Sequence, residues 1–167
     1  RVRAHDVHVL SAELVEVVRE FFGARCAHLA GGEVCAVGRE GGDLGGFAAA
    51  TFKRGFSYIN VPTTLLAMVD ASVGGKTGIN FNGLKNEVGV FAPANSVLIE
   101  TEFLRSLDTQ NFFSGYAEML KHGLISTPEH LAELLSFDTE KIDYALLKSM
   151  VGRSVQVKEH IVEEDPQ

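Results

Sequence analysis

The chain has no tryptophan, two cysteines and four prolines in 167 residues, and no long uninterrupted apolar run. Two cysteines, Cys26 and Cys35, cannot make a disulfide framework, and their spacing is not the CxxC of a zinc site. A reduced, cytoplasmic location is therefore the expectation. No segment reaches the roughly 20 apolar residues of a membrane helix, and the first ten residues lack the apolar core and small-residue cleavage site of a secretory signal. Basic residues are outnumbered, 15 Lys and Arg against 22 Asp and Glu, for a formal charge of −7. A nucleic-acid binder draws its affinity from a basic face, so that class is set aside. Anionic small molecules are not excluded, because a few lysines can cluster locally. What is plentiful is apolar content, 46%, and glycine, 17 residues. That composition excludes disorder and collagen-like repeats and allows an ordinary core.

Hydrophobic spacing predicts an α/β portion followed by a helical one. Residues 11–22 carry a helical pattern that Gly23 ends. A glycine-rich stretch follows, and a helix is expected to start near Asp43. Residues 58–61 read as a buried strand stopped by Pro62. Thr63 and Thr64 suit the cap of a short helix over 65–69. Residues 72–88, rich in glycine and polar groups, read as a functional loop, and 97–99 as a second strand. Helical periodicity returns over 112–124, 129–135 and 142–162. The domain division is placed at 1–105 and 106–167.

Four clusters carry chemistry-bearing residues. Gly38-Arg39-Glu40-Gly41-Gly42-Asp43 leads into a helix, where glycines let backbone amides approach a pyrophosphate and the helix dipole favours its charge. By itself this pattern equally describes a tight strand-to-helix turn. In the second cluster, 62–80, Lys76 sits among glycines as a point charge suited to phosphate or carboxylate, and Asp70 closes the short helix as an acceptor for hydroxyls. Gly75-Lys76-Thr77 superficially looks like the end of a P-loop, but the glycine required five residues earlier is Asp70, so a nucleoside triphosphate is rejected. The third cluster is Lys85-Asn86. In the fourth, Glu118, Lys121 and His122 fall at i, i+3 and i+4 on one helical face. A solvated surface ion pair, with His122 incidental to it, is a simpler explanation of that spacing than a metal site, since two ligands do not make a zinc centre.

Taken together and in order, these segments resemble the 3-dehydroquinate synthase family. Residues 62–80 match its PTTLLAxVDxSVGGKTGIN pattern. Lys85-Asn86 and Ser114-Gly115-Tyr116-Ala117-Glu118-Met119-Leu120-Lys121-His122-Gly123-Leu124 match two further motifs, and residues 42–55 fit GDLxGFxAAxxxRG. The match runs from about Gly42 to the end.

The resemblance implies a partial Rossmann-like nucleotide-binding domain followed by the start of an all-α metal-binding domain. It implies a carbon–oxygen lyase that uses NAD and a divalent metal, zinc or possibly cobalt. Such an enzyme closes an acyclic seven-carbon sugar-acid phosphate into a ring with loss of phosphate, within the shikimate pathway. Gly38, Gly42, Asp43, Thr63, Thr64 and Lys85 take the positions of NAD contacts, with Asp70 between nicotinamide and substrate. Arg54, Lys76, Asn86, Lys121 and Lys158 take those of groups that hold the substrate's anions and hydroxyls, and Glu118 that of a metal ligand. A homodimer is implied as well. The resemblance also implies that much of a full-length synthase, including two histidine ligands, lies outside these residues, so the chain alone is expected to be inactive. Other sugar-phosphate cyclases, of inosose or valiolone type, and a non-catalytic fragment are the alternatives.

Overall fold

The computed structural model describes residues 7–9, 27–29, 32–37, 39–51, 54–55 and 57–164, with side chains from residue 42 onward. The expected helix over 11–22 lies outside these residues. A five-stranded sheet has the order β1-β7-β4-β3-β2, built from β1 (Val7–Val9), β2 (Ala27–Leu29), β3 (Gly32–Val37), β4 (Tyr58–Pro62) and β7 (Ser96–Ile99). β1, β7, β4 and β3 run parallel, and β2 closes one edge antiparallel to β3. Between β3 and β4 lies helix α1 (Arg39–Thr51), which makes a βαβ unit. α1 begins four residues before the expected Asp43, so Gly41, Gly42, Gly45 and Gly46 are helical. Isolated propensity argues against such a helix. Packing overrides it: a Cβ on Gly46 would lie 2.6 Å from Thr77 Cγ2 and 2.8 Å from the Tyr58 hydroxyl, so only glycine lets α1 come this close to the strands.

Residues 72–88 are not a loop. β5 (Lys76–Phe81) and β6 (Leu84–Phe91) form an antiparallel hairpin with Phe81 opposite Leu84. The reversal is the pair Asn82-Gly83, at φ 52° and 79°. Positive φ at both central residues matches the twist of a two-residue hairpin and is the reason Asn-Gly occurs there. Gly83→Ala is therefore expected to destabilise the hairpin by about 1 kcal/mol. Faster amide exchange at Thr77 and Val90, with β4 unchanged, would report it; unchanged exchange would contradict this account.

Downstream are a 3-10 helix (Thr101–Ser106), α2 (Thr109–Ile125), α3 (Pro128–Ser136) and α4 (Tyr144–Glu164). Asp108 and Thr127 cap α2 and α3 by accepting from Asn111 N and His130 N. These capping acceptors fix where the helices begin. Buried Leu147, Met150, Val151 and Val155 recur at helical spacing along α4 and face Met119 and Tyr116 of α2. Beneath both lies a wide turn of π-helical geometry, Ala67–Ala71, preceded by buried Leu65. Thr64 Oγ1 accepts from Ala67 N at 3.3 Å, the capping role expected of it. One continuous core thus joins the sheet to the helices, and the π-turn is the joint.

Candidate active site

Four segments converge on a cavity of about 470 Å³. Asp43 comes from α1, Asp70 from the π-turn, Lys76 and Asn86 from the hairpin, and Lys158 from α4. Each position follows from local structure. The short helical entry after β4 carries Asp70 to the end of the π-turn. Lys76 opens β5 directly opposite Phe91, and its ammonium lies 5.9 Å from the Phe91 ring centroid, within cation–π range. Asn86 is held at φ 55° while its N–H donates to Asn80 Oδ1 at 3.0 Å. Lys158 Nζ stands 2.9 Å from Asp70 Oδ1, with both side chains about one quarter exposed. A smaller adjoining cavity of about 260 Å³ is lined by Asp43, Asn86 and Lys85.

The remaining candidates are distributed around this centre. Thr63 and Thr64 are half-buried just beyond the carboxyl end of β4, and Gly42 is half-buried on α1; none of the three lines either cavity. The carboxyl ends of β3 and β4 lie side by side, Val37 beside Pro62, which is where open α/β sheets receive ligands. Gly38 lies outside the described residues. Arg54 is exposed at φ 75° and lines neither cavity. Glu118 and Lys121 form an ion pair on α2 outside the cavity lining. They are nevertheless close by, because the charges of Asp70 and Lys158 are felt by their neighbour His122.

Sequence spacing left His122 as an incidental surface residue; the structure buries it. Its ring is 1% exposed, Nε2 lies 3.5 Å from Glu118 Oε1, and neither ring nitrogen has a hydrogen-bond partner. Burial holds its pKa below the usual histidine value against the opposing pull of Glu118. The donor set here, a mostly buried carboxylate beside a neutral imidazole, suits a divalent cation. Among the described residues no third ligand joins it. Glu87 and Phe91 also line the main cavity and were missed. Their signal was the Asn-Gly turn, which fixes the hairpin register and hence their place.

His130 makes a separate buried contact, its Nε2 3.2 Å from Ser154 Oγ, tying α3 to α4. Burial, and then the nearby Arg153 charge, lower its pKa. The unfolded chain therefore binds this proton more readily than the fold does. Stability is full above about pH 6.5, the ordinary histidine value, and falls as the pH drops below it. Denaturation midpoints at pH 7.5 and 5.5 should show the decline, to which buried His122 contributes in the same direction, and His130→Gln should make it shallower without abolishing it. An equal slope in the variant would assign the effect elsewhere.

The architecture and the charged cavity define an α/β protein with a helical extension whose ligand site lies between the two. Comparison with known proteins narrows this. Residues 15–114 match the profile described as 3-dehydroquinate synthase N-terminal, and residues 115–167 match 3-dehydroquinate synthase C-terminal. A 3-dehydroquinate synthase of Parabacteroides distasonis is 64% identical over 124 residues, 74% of this chain and 35% of that protein. A bifunctional 3-dehydroquinate synthase/phosphatase of Fusobacterium nucleatum is 41% identical over 141 residues, 83% of this chain and 20% of that protein. Among solved structures, ValA, the 2-epi-5-epi-valiolone synthase of Streptomyces hygroscopicus with NAD+ and Zn2+ bound, superposes with TM-score 0.72. It shows 30% identity, over 96% of this chain and 46% of that one. A 2-deoxy-scyllo-inosose synthase complexed with carbaglucose-6-phosphate, NAD+ and Co2+ gives TM-score 0.70 at 27% identity, over 92% of this chain and 42% of that one. The chain belongs to the 3-dehydroquinate synthase family. It spans about a third of the length of the Parabacteroides relative.

Proposed function

We propose that the protein carrying this chain is a 3-dehydroquinate synthase, converting 3-deoxy-D-arabino-heptulosonate 7-phosphate to 3-dehydroquinate and phosphate. One observation carries the reading: Asp43, Asp70, Lys76, Asn86 and Lys158, from four separate segments, line one cavity. The 64% identity to a synthase, against 30% or less to the valiolone and inosose enzymes, favours this member of the superfamily.

In this reading Asp43 and Lys85, which line the smaller cavity, contact NAD together with Thr63 and Thr64 just beyond β4 and Gly42 on α1, and Gly38 is assigned to the same cofactor from its motif. Lys76 and Lys158 receive the substrate's phosphate and carboxylate through charge-assisted hydrogen bonds, which are about twice as strong as neutral ones. Asn86 positions hydroxyls. Asp70 sits where a hydroxyl proton must be accepted and returned. Glu118 holds the divalent metal, zinc or cobalt, with Lys121 fixing its carboxylate; Arg54 contributes from outside the described cavity. When bound, the nicotinamide supplies transient oxidation of a secondary hydroxyl and the metal supplies its polarisation. A division into a nucleotide-binding part, 1–105, and a helical part, 106–167, belongs to the same proposal, as does assembly into a homodimer.

Phosphate release from the seven-carbon substrate with NAD and zinc, followed by NMR of the product, is the test. An intact protein that releases no phosphate, or that yields an inosose or valiolone ring from its own sugar phosphate, would overturn the assignment. The 167-residue chain alone is expected to bind zinc weakly, since Glu118, even with His122 beside it, falls short of the three protein ligands a catalytic site needs.

A further inference from the structure

His122 has no part in the chemistry proposed above, yet it is costly to keep where it is. It lies on the packed face of α2 with Phe112, Tyr116 and Met119, and its side chain is 1% exposed. Among the described residues neither ring nitrogen has a hydrogen-bond partner. Buried polar groups without a partner are rare in folded proteins, and each one calls for a reason. An acceptor stands one turn back on the same helix. His122 Nε2 lies 3.5 Å from Glu118 Oε1, about 0.7 Å longer than a charge-assisted N–H···O bond. The Lys121 ammonium contacts the same oxygen. Lys121 is more than half exposed and Glu118 mostly buried, so Oε1 is met by one donor from solvent and faced by another from the interior.

We propose that His122 is the positioning residue of Glu118: its Nε2–H donates to Oε1 from inside the fold and leaves Oε2 for the metal. The proposal rests on reading Glu118 as a metal ligand and adds what aims that ligand. Spacing at i and i+4 places the imidazole and the carboxylate on one face of α2. Lys121 cannot fix the carboxylate alone, because an exposed ion pair is weak and its long side chain keeps its rotamer freedom. The imidazole has no such freedom: it is enclosed by the packing of α2, and the Glu118 side chain has the torsions needed to close the remaining gap. A donor fixed in the interior also acts through a lower dielectric than one in water, which strengthens its hold on a charged acceptor. Closing the gap gives one of the two orphaned nitrogens its partner. Without that donor the carboxylate samples several rotamers, and metal binding has to bear the cost of ordering it. Carboxylates that ligate metals are generally held by such outer donors.

Zinc affinity of the intact protein, measured by competition with a chelator, reads the effect without reference to turnover. His122→Phe, which fills the same space without a donor, is expected to weaken zinc binding by about 10-fold to 100-fold, the range for loss of an outer-shell partner. His122→Gln keeps an N–H donor on a side chain of similar reach and should restore most of that loss. In a Glu118→Gln background the same His122→Phe change should leave zinc affinity where Glu118→Gln alone puts it, because the group being aimed is gone. Nitrogen-15 NMR of the unmodified, zinc-loaded protein should find the proton of His122 on Nε2. That last measurement decides the matter even where a variant does not fold: a proton on Nδ1 with a bare Nε2 overturns the proposal. Parent affinity in His122→Phe, or an equal loss with and without the Glu118 carboxylate, overturns it too and leaves Glu118 standing as a ligand. Parent affinity in Glu118→Gln overturns the ligand assignment and this proposal together.

Discussion

Gly115→Ala is expected to destabilise the fold by about 2 kcal/mol, although alanine is the better helix former by about 1 kcal/mol. The reason is the closeness of α2 to the chain beneath it. A Cβ at position 115 would lie 2.4 Å from Leu66 N, 2.6 Å from Leu65 Cβ and 2.7 Å from Leu65 C. Two of these neighbours are backbone atoms and cannot rotate away, and Leu65 is fully buried. α2 must therefore lift from the π-turn, loosening contacts along Phe112, Tyr116 and Met119, the buried face of the same helix. At a typical urea slope near 2 kcal/mol per molar, the midpoint should fall by about 1 M. Lifting α2 also moves Glu118, one turn along, so under the metal role proposed for it loss of stability and weaker metal retention should appear together. A midpoint within 0.2 M of the parent, by that same slope, would show that the contact is relieved cheaply and that the joint is softer than its geometry implies.

Lys76→Met is expected to lower kcat/KM for phosphate release by about 10²-fold to 10³-fold in the intact protein. Removing one partner of a hydrogen-bonded charge pair that the bound substrate takes out of water costs about 2–5 kcal/mol, and each 1.36 kcal/mol is tenfold in rate. Lys76 is the cavity cation without a carboxylate neighbour among the described residues, so no internal pair is broken by its removal and the whole effect falls on the ligand. Stability should change little, because the side chain is exposed. Arginine should restore only part of the activity, since its planar fork does not reproduce a point charge at the same place. A variant that retains more than a tenth of the parent kcat/KM would remove Lys76 from the binding of the phosphorylated substrate.

How much of this was legible beforehand depended on whether a segment buries one face. β7 and the three helices α2, α3 and α4 do, β4 is buried along nearly its whole length, and their apolar pattern announced them to within a few residues. The hairpin buries neither face along β6, whose eight residues are all exposed. Alternating hydrophobicity therefore could not mark it, and only Asn82-Gly83 carried its signature. The early start of α1 was hidden for the opposite reason: its glycines are there for close packing, which a reading of local preference counts against a helix. At the site, Asp43, Asp70, Lys76, Asn86 and Lys158 came from motifs, and the cavity brings them together. The Asp70–Lys158 pair could not be foreseen, since the partners are 88 positions apart and nothing local links them. Burial of His122 was equally invisible, because it depends on what α4 and the π-turn place over that face of α2.

The π-turn also governs how distant substitutions act on the site. Leu65, Met68 and Val69 form a wedge with no exposed surface, driven between the sheet and the helices, and Asp70 is the tip that emerges from it. Such a tip cannot be re-aimed by altering the rim of the pocket; the lever arm is internal. Trimming Met119 or Met150, both fully buried, would let the wedge settle and swing the acid with it. Laboratory evolution of this scaffold toward new sugars should therefore collect changes deep in the hydrophobic interior as well as around the mouth.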